Sequence, residues 1–139
     1  VYDTLPEDAI RIRKDVFMTE QGFIDEFDDM EESSIHIVMY EDDLPIATCR
    51  IFKETCGNAY RLGRIAVVKS WRGQHIGARL ISEAEKYIES IGGDTVIIHA
   101  QCRAKGFYNK VGYNEYGEID AEENVPHIWM KKQLFVCNV

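Results

Sequence analysis

The chain has 139 residues, of which 45% are hydrophobic, and its formal net charge at pH 7 is −8. This length predicts one domain spanning residues 1–139, with enough apolar sequence for an ordinary packed core. The acidic balance argues against a nucleic-acid-binding protein, which needs a basic face to meet phosphates. We expect a cytoplasmic protein without a membrane partner, because no apolar stretch has the length of a membrane-spanning helix and no signal peptide is visible. The sequence begins at Val1 rather than at methionine, so a few residues can precede it.

Charge is distributed unevenly along the chain. Residues 24–34, IDEFDDMEESS, hold six acidic side chains, and residues 60–79 hold the basic residues Arg61, Arg64, Lys69, Arg72 and Arg79. This polarity suits an anionic cofactor at the basic segment and a cationic substrate at the acidic one. We expect the acidic segment to be a solvated flap, with attraction of a cationic amine as the alternative. Because unpaired arginines are costly to bury, Arg50 and Arg64 are expected to pair with Glu20 or with the acidic segment.

The cysteines lack the spacing of a known site. Cys49, Cys56, Cys102 and Cys137 form neither a CxxC pair nor a zinc-ligand cluster. We therefore predict free thiols in a reducing compartment and no metal.

The first half of the chain predicts one helix and three strands. Thr4-Leu5-Pro6-Glu7 has the pattern of a capping box, and residues 9–21 follow with helical periodicity up to Gly22. The three predicted strands are 35–40, 45–52 and 61–68. The first two form a hairpin across an acidic turn, and the apolar end of the third indicates burial on both faces.

The second half of the chain is predicted to alternate helices with strands. Its segments are helix 76–91, strand 95–100, short helix 104–112, turn-rich segment 113–125 and strand 127–134. The first of these helices is amphipathic and is closed by Gly92-Gly93-Asp94. This order predicts an α+β fold, α/β-like in its later half, with helices on a mixed central sheet.

The stretch SWRGQHIGARL, residues 70–80, leads from the third strand into helix 76–91. Glycines let backbone amides approach an anion, and the first N–H groups of a helix have no intrahelical partner. The helix dipole and Arg72 add positive charge, so the loop is a candidate phosphate cradle. A structural turn is an equal alternative when the loop is taken alone, since neither the P-loop pattern nor the Rossmann fingerprint is present.

A second motif, AQCRAKGFYNKVGY at residues 100–113, places Phe107 and Tyr108 on a short helix. Core packing alone could account for both aromatic side chains. Together, however, the pattern strand–RGxxIG–helix–strand–FYxKxGY resembles the GNAT superfamily of N-acetyltransferases. The family's pyrophosphate signature, Arg/Gln-x-x-Gly-x-Gly/Ala, matches at Arg72 and Gly77, whereas His75 replaces its middle glycine. VFMTEQ, RIAVV and PHIWM are similar to segments of the small bacterial ElaA- and YjcF-like subgroup.

The resemblance implies a GNAT fold in which acetyl-CoA lies between two splayed parallel strands, here 61–68 and 95–100. Backbone groups of one strand would bind the acetyl carbonyl and pantetheine arm, and loop amides would hold the pyrophosphate. The implied cofactor-binding residues are Ile65, Ala66, Val67, Arg72, Gly73, Gln74, His75, Ile76, Gly77, Ala78, Gln101 and Phe107. Tyr108 would be the general acid that protonates the departing thiolate, a role open to a phenol with a pKa of about 10.

The implied reaction is direct attack of a small amine on the thioester in a ternary complex, without a covalent cysteine intermediate. Many relatives carry a carboxylate base on the strand before the loop, where this chain has Arg61 and Arg64. The base therefore stays open: the candidates are Glu20 and His127, and then His36 and His99. For each of the four, a structural polar role is the alternative.

Two other functions remain compatible with the sequence. One is a catalytically silent acyl-CoA-binding regulatory module, and the other is a transferase that uses another donor, such as succinyl-CoA. Tyr108 favours an enzyme, because a silent module needs no proton donor. A homodimer is compatible with the resemblance. In the loop, we expect Gly77→Val to weaken CoA binding more than His75→Gly, and His75 to fit without strain if its φ is negative.

Overall fold

The computed structural model describes residues 1–24 and 26–134. The helices and strands, in chain order, are α1 (Glu7–Arg13), β1 (Ile35–Glu41), β2 (Leu44–Lys53), β3 (Ala59–Val67), α2 (Ile76–Ser90), β4 (Thr95–Gln101), α3 (Lys105–Lys110), β5 (Asn114–Glu122) and β6 (Val125–Gln133). A π-helical segment, Lys14–Glu20, continues α1 directly. Short 3-10 turns occur at Asp29–Ser33, Lys69–Trp71 and Cys102–Ala104.

The strands form one six-stranded sheet in the order β1-β2-β3-β4-β6-β5. All neighbouring strands are antiparallel except β3 and β4, which are parallel and are connected through α2. The predicted mixed sheet flanked by helices is therefore confirmed.

The core has two parts. The larger part joins the apolar side of α2, including Leu80 and Ile88, to the sheet and to Tyr108 of α3. A smaller cluster joins Ile12 and Phe17 of the first helical region to the sheet at Ala66. The amphipathic pattern that predicted α2 is thus explained by its packing, since its apolar stripe covers the centre of the sheet.

A β-bulge in β3 opens the centre of the sheet. Thr48 of β2 pairs with Ala66, but Arg50 pairs with Gly63, so two residues of β3 oppose one residue of β2. One of these, Arg64, has a positive φ of 50°. Bulges bend a strand, and β3 pairs with β4 only from Ala59 to Arg61. Beyond that point the two parallel strands diverge, as the predicted splayed pair requires.

Three local predictions were wrong. α1 has Pro6 as its N-cap, with no side-chain cap, so the capping box predicted at Thr4 does not form. β3 begins at Ala59, two residues before the predicted strand. Residues 113–125 were predicted to be turn-rich, but they contain β5, an edge strand that is exposed over nearly its whole length. Such a strand lacks the apolar alternation from which strands are predicted.

None of the helices in the described part of the chain is long and apolar enough to cross a membrane. Cys49, Cys56 and Cys102 are free thiols, as predicted. Cys137 lies outside the described residues, and so does Asp25 of the acidic segment.

Candidate active site

A cleft of about 200 Å³ lies where β3 and β4 separate. Its walls come from β3, β4, the segment that continues α1, the acidic segment, the 3-10 turn before α3, α3 itself and the turn between β5 and β6. Gly63, Arg64 and Ile65 line it from the bulged part of β3. The bulge therefore creates the cleft, because it turns the middle of β3 away from its parallel partner.

A row of backbone amides lies at the start of α2. The N–H groups from Gly73 to Ala78 have no hydrogen-bond acceptor among the described residues, and the first helical bond is from Arg79 N to His75 O, at 3.1 Å. Gly77 lies under an aromatic ring, since a Cβ added there would be 3.2 Å from Cζ of Phe107. These amides, with the helix dipole, form a site suited to an anion.

His75 has a positive φ of 60°, and so does Gly73, at 81°. The condition under which His75 was predicted to fit without strain, a negative φ, is therefore not met. Histidine is one of the residues that enter this left-handed region more often than most. Its side chain is exposed, and its left-handed conformation immediately precedes the first residue of α2.

Arg72 is fixed before the amide row by two sets of contacts. Its Nη1 and Nη2 donate to the two carboxylate oxygens of Glu20 at 2.9 and 3.0 Å, and its Nε donates to Val67 O at 3.0 Å. The pair is bidentate and partly exposed. It links the end of the first helical region to the loop that follows β3.

Tyr108 of α3 lies at the inner end of the cleft and is only 9% exposed. Its ring packs edge-on against Phe107 and Tyr113, with centroid distances of 5.2 and 6.3 Å. Its hydroxyl has no hydrogen-bond partner in residues 1–24 and 26–134. Burial raises the pKa of Tyr108, and the adjacent Cys49 raises it further, so the phenol keeps its proton.

Two histidines share one wall of the cleft. His127 is 4% exposed, and its ring centroid is 4.8 Å from that of His99. His127 Nδ1 lies 2.8 Å from Val125 O, and a carbonyl accepts only, so Nδ1 carries the hydrogen in the neutral ring. Its Nε2 then holds a lone pair. Within the described residues, no group of three or more His, Cys, Asp or Glu side chains is placed to hold a metal ion.

Comparison with known proteins identifies the architecture. Residues 3–134 match the model of the acetyltransferase (GNAT) domain. The chain belongs to the GNAT acetyltransferase family. It is 34% identical over 130 residues to the uncharacterized N-acetyltransferase YjcF of Bacillus subtilis, and the match covers 91% of each chain.

Solved structures of other proteins superpose on nearly the whole chain. ElaA of Escherichia coli has a TM-score of 0.81 at 26% identity, covering 91% of this chain and 88% of that one. An acyl-CoA N-acyltransferase of Pseudomonas aeruginosa has a TM-score of 0.82 at 25% identity, covering 90% and 87% of the two chains. The predicted similarity to the ElaA- and YjcF-like proteins is confirmed.

All predicted site residues of this GNAT protein except His36 fall into two groups. Ile65, Gln101, Tyr108 and His127 line the cleft, and so does His99. The second group lies beside the cleft or at the amide row, and comprises Glu20, Ala66, Val67, Arg72, Gly73, Gln74, His75, Ile76, Gly77, Ala78 and Phe107.

Two of the predicted residues occupy positions with little access to a substrate. Ala66 is 2% exposed, and its side chain packs in the smaller core cluster. His36 has no exposed surface, and Glu31 O lies 3.4 Å from its Nε2. Burial lowers the pKa of His36, which favours its neutral form.

Glu26 of the acidic segment is a cleft residue that the sequence did not single out. It is 4% exposed and is held by Arg13 Nε at 3.0 Å and Arg64 Nε at 2.9 Å. Burial raises the pKa of Glu26, and the two arginines oppose that effect. Arg50 contacts Asp28 at 2.7 Å. The predicted pairing of Arg50 and Arg64 with the acidic segment is thus confirmed, and this part of the segment is not a solvated flap.

Gln101 closes the cleft towards the first helical region. Its Nε2 donates to Gln21 Oε1 at 2.8 Å, whereas its Oε1 is buried without a partner in the described chain. A buried amide oxygen without a donor is costly. Gln101 therefore carries one acceptor that no described group uses, and the cleft lining also includes the phenol of Tyr108 and the imidazole of His127.

Proposed function

We propose that this GNAT protein transfers an acetyl group from acetyl-CoA to the amine of a small acceptor by direct attack in a ternary complex. The observation that carries the proposal is the cleft between β3 and β4, which has Tyr108 at its inner end and His127 on its wall. A proton donor and a proton acceptor in one cleft are what transfer from a thioester to an amine needs. The volume of about 200 Å³ favours a small acceptor.

The chain offers matching groups for each part of CoA. The amides from Gly73 to Ala78 would bind the pyrophosphate, because they are free donors at the positive end of α2. The edge of β3 beyond Arg61 has no parallel partner, so backbone groups at Ile65 to Val67 would bind the pantetheine arm. Phe107 lies against the start of α2 at Gly77. It would flank the part of CoA that joins the pyrophosphate to the pantetheine arm.

Tyr108 would donate the proton that the departing thiolate needs. Its phenol is buried beside Cys49, and burial raises the pKa of that thiol to about 12. A CoA thiolate formed in the same apolar surroundings is therefore a strong base as well. A buried phenol can then return a proton to sulfur although its own pKa is raised.

We assign the general base to His127 and not to Glu20. The hydrogen bond from His127 Nδ1 to Val125 O leaves Nε2 free to accept a proton. Glu20 instead binds Arg72 through both carboxylate oxygens and lies outside the cleft lining. Its proposed role is to occupy the two terminal nitrogens of Arg72 until a phosphate of CoA competes for them.

The free thiols of Cys49, Cys56 and Cys102 support a reducing compartment. We therefore place the reaction in the cytoplasm.

The test is the release of CoA from acetyl-CoA in the presence of a mixed panel of primary amines. We expect amine-dependent release by the wild type and a rate about 10²-fold lower for Tyr108→Phe. CoA affinity, measured by calorimetry, should change little, because Tyr108 would contact CoA only at the thiol, and sulfur is a weak hydrogen-bond partner.

Two results would redirect the proposal. If the wild type and Tyr108→Phe both bind acetyl-CoA tightly and neither transfers the acyl group, the protein is a silent acyl-CoA-binding module. If succinyl-CoA outcompetes acetyl-CoA as donor, the protein is still an acyltransferase that acts on an amine, but the group that it transfers is succinyl.

A further inference from the structure

Proton balance sets a requirement that Tyr108 and His127 do not meet by themselves. When an alkylammonium ion is acetylated, the C–S bond breaks, a C–N bond forms, and two protons leave nitrogen. One proton ends on sulfur as the thiol of CoA, and the other must reach the solvent. His127 is 4% exposed, so a proton that it accepts needs a route out of the cleft.

A chain of side chains connects His127 to the surface. Glu122 Oε2 lies 3.7 Å from His127 Nε2 and 3.4 Å from His99 Nδ1, so one carboxylate oxygen serves both rings. The other nitrogen of His99, Nε2, lies 2.7 Å from Asp120 Oδ1. The side chains of Glu122 and Asp120 are 48% and 51% exposed. The chain therefore begins at a buried nitrogen and ends at carboxylates in contact with water.

The ring of His99 is fixed in the orientation that this chain needs. It stacks on Trp129 at a centroid distance of 4.2 Å and an angle of 16°. The guanidinium carbon of Arg61 lies 4.5 Å from the centre of the Trp129 ring. Asp120 and Glu122 both belong to β5, which reaches these histidines through its pairing with β6. Two nitrogens facing two carboxylates can pass a proton through the ring, taking it up at one and releasing it at the other.

We propose that Glu122, His99 and Asp120 form a relay that carries the amine proton from His127 to the solvent. This inference rests on the proposed function, because His127 must first accept that proton at Nε2. The proton then passes to Glu122 Oε2 through a bridging water, because 3.7 Å is too long for a direct hydrogen bond. From Glu122, which is itself exposed, it reaches the solvent directly or through His99 and Asp120. Each transfer returns the donor to its earlier protonation state, so the relay consumes nothing.

Two acceptors of different charge test the relay at pH 8. Ethylamine is a cation at this pH and must release one net proton, whereas hydroxylamine is neutral and only passes a proton from nitrogen to sulfur. Glu122→Gln, alone or combined with Asp120→Asn, should lower kcat/KM for ethylamine on the order of tenfold, because every route from His127 passes through Glu122 Oε2. This loss is part of the 10²–10⁴-fold typical of acid–base catalysis. After subtraction of the uncatalysed reaction, both variants should retain wild-type rates with hydroxylamine. Glu118→Gln is the matched control, because it removes an exposed charge of β5 that is not part of the relay.

The outcomes separate the relay from the proposed function. Equal losses with both amines, or no loss with ethylamine, overturn the relay and leave acetyl transfer intact. A wild-type protein that binds CoA but acetylates neither amine overturns both. Nitrogen-15 NMR of the protein alone adds a check that needs no acceptor. The neutral ring of His127 should carry its hydrogen on Nδ1, and a hydrogen on Nε2 overturns the relay, since that nitrogen could not accept the amine proton.

Discussion

His75 and Gly77 show how single residues build the amide row. Both supply a backbone N–H, which any residue except proline can do, so the histidine in place of a signature glycine does not remove a donor. His75 takes a left-handed conformation with φ of 60°. The sequence could not reveal this, because the sign of φ depends on how the loop enters α2. Gly77 differs in that Phe107 limits the space beside its Cα.

We expect Gly77→Val to weaken CoA binding far more than His75→Gly. A Cβ at position 77 would lie 3.2 Å from Phe107 Cζ, so a valine there must displace the ring or the amides at the start of α2. Overpacking of this kind costs about 1–3 kcal/mol, which corresponds to a loss of roughly 5- to 150-fold in CoA affinity where the amide row is displaced. His75→Gly keeps the amide and removes a left-handed strain of about 1 kcal/mol. Calorimetric titration with CoA measures both, with thermal unfolding as the control for folding. A larger loss of CoA affinity for His75→Gly than for Gly77→Val would contradict the role of these backbone amides in binding the pyrophosphate.

The π-helical segment after α1 is the element that joins the two halves of the site. Its last residue, Glu20, binds Arg72 of the loop. Phe17 of the same segment lines the cleft, and so does Gln21, the first residue after the segment. π-Helical turns are frequent at functional sites. Periodicity predicted a helix here but not its widened turn.

Glu20→Gln tests the division of roles within this element. Loss of the carboxylate frees both terminal nitrogens of Arg72 for phosphate, and exposed ion pairs are worth about 1 kcal/mol or less. CoA affinity should therefore rise by up to about fivefold, with little change in the rate of acetyl transfer. Asp15→Asn, an exposed change in the same segment, is the control. A large loss of rate at unchanged CoA affinity would instead make Glu20 the base.

The edge strand β5 explains why the partners of the histidines were not predicted. Its residues are exposed and acidic, and they read as a turn-rich segment. Only the pairing of β5 with β6 brings Asp120 opposite His127 in register and next to His99 of β4. His127 and His99 could be nominated from their residue type, but their carboxylate partners follow from long-range strand pairing.

Across the whole molecule, three arginines bind the acidic segment, one from α1 and two from the sheet. Arg13 reaches Glu31 at 2.6 Å, Arg50 reaches Glu31 at 3.2 Å, and Arg64 reaches Glu26 at 2.9 Å. Burial alone would raise the pKa of Glu31, but its hydrogen bond to Arg13 and the nearby positive charges lower it overall. The network is thus strongest when Glu31 is ionised.

Glu31→Gln should destabilise the fold in a pH-dependent way. Removing one partner of a buried ion pair costs about 3 kcal/mol. A lowered carboxyl pKa gives stability that is present above the ordinary value of 4.5 and is lost as pH falls through the folded value. The difference in unfolding free energy between wild type and variant should be largest near neutral pH and shrink below 4.5. Denaturant unfolding measures it, with the exposed neighbour Glu32→Gln as control, and a difference independent of pH would contradict this account.

Most of the fold and part of the site could be predicted from the sequence, because some features depend on adjacent residues and others on contacts between distant segments. The apolar stripe of α2 and the motifs at Arg72 and Tyr108 are local, so adjacent residues carry their signal. The bulge at Arg64, the burial of Glu26 and the Glu20–Arg72 pair depend on contacts between distant segments. A single sequence records those residues but not their pairing.

A crystal structure with CoA bound tests the central claim most directly. We predict that the pyrophosphate binds the amides from Gly73 to Ala78 and that the pantetheine arm lies along β3 beyond Arg61. The thiol should lie within hydrogen-bond reach of Tyr108 Oη. CoA bound away from the cleft between β3 and β4, or a thiol directed away from Tyr108, would contradict it.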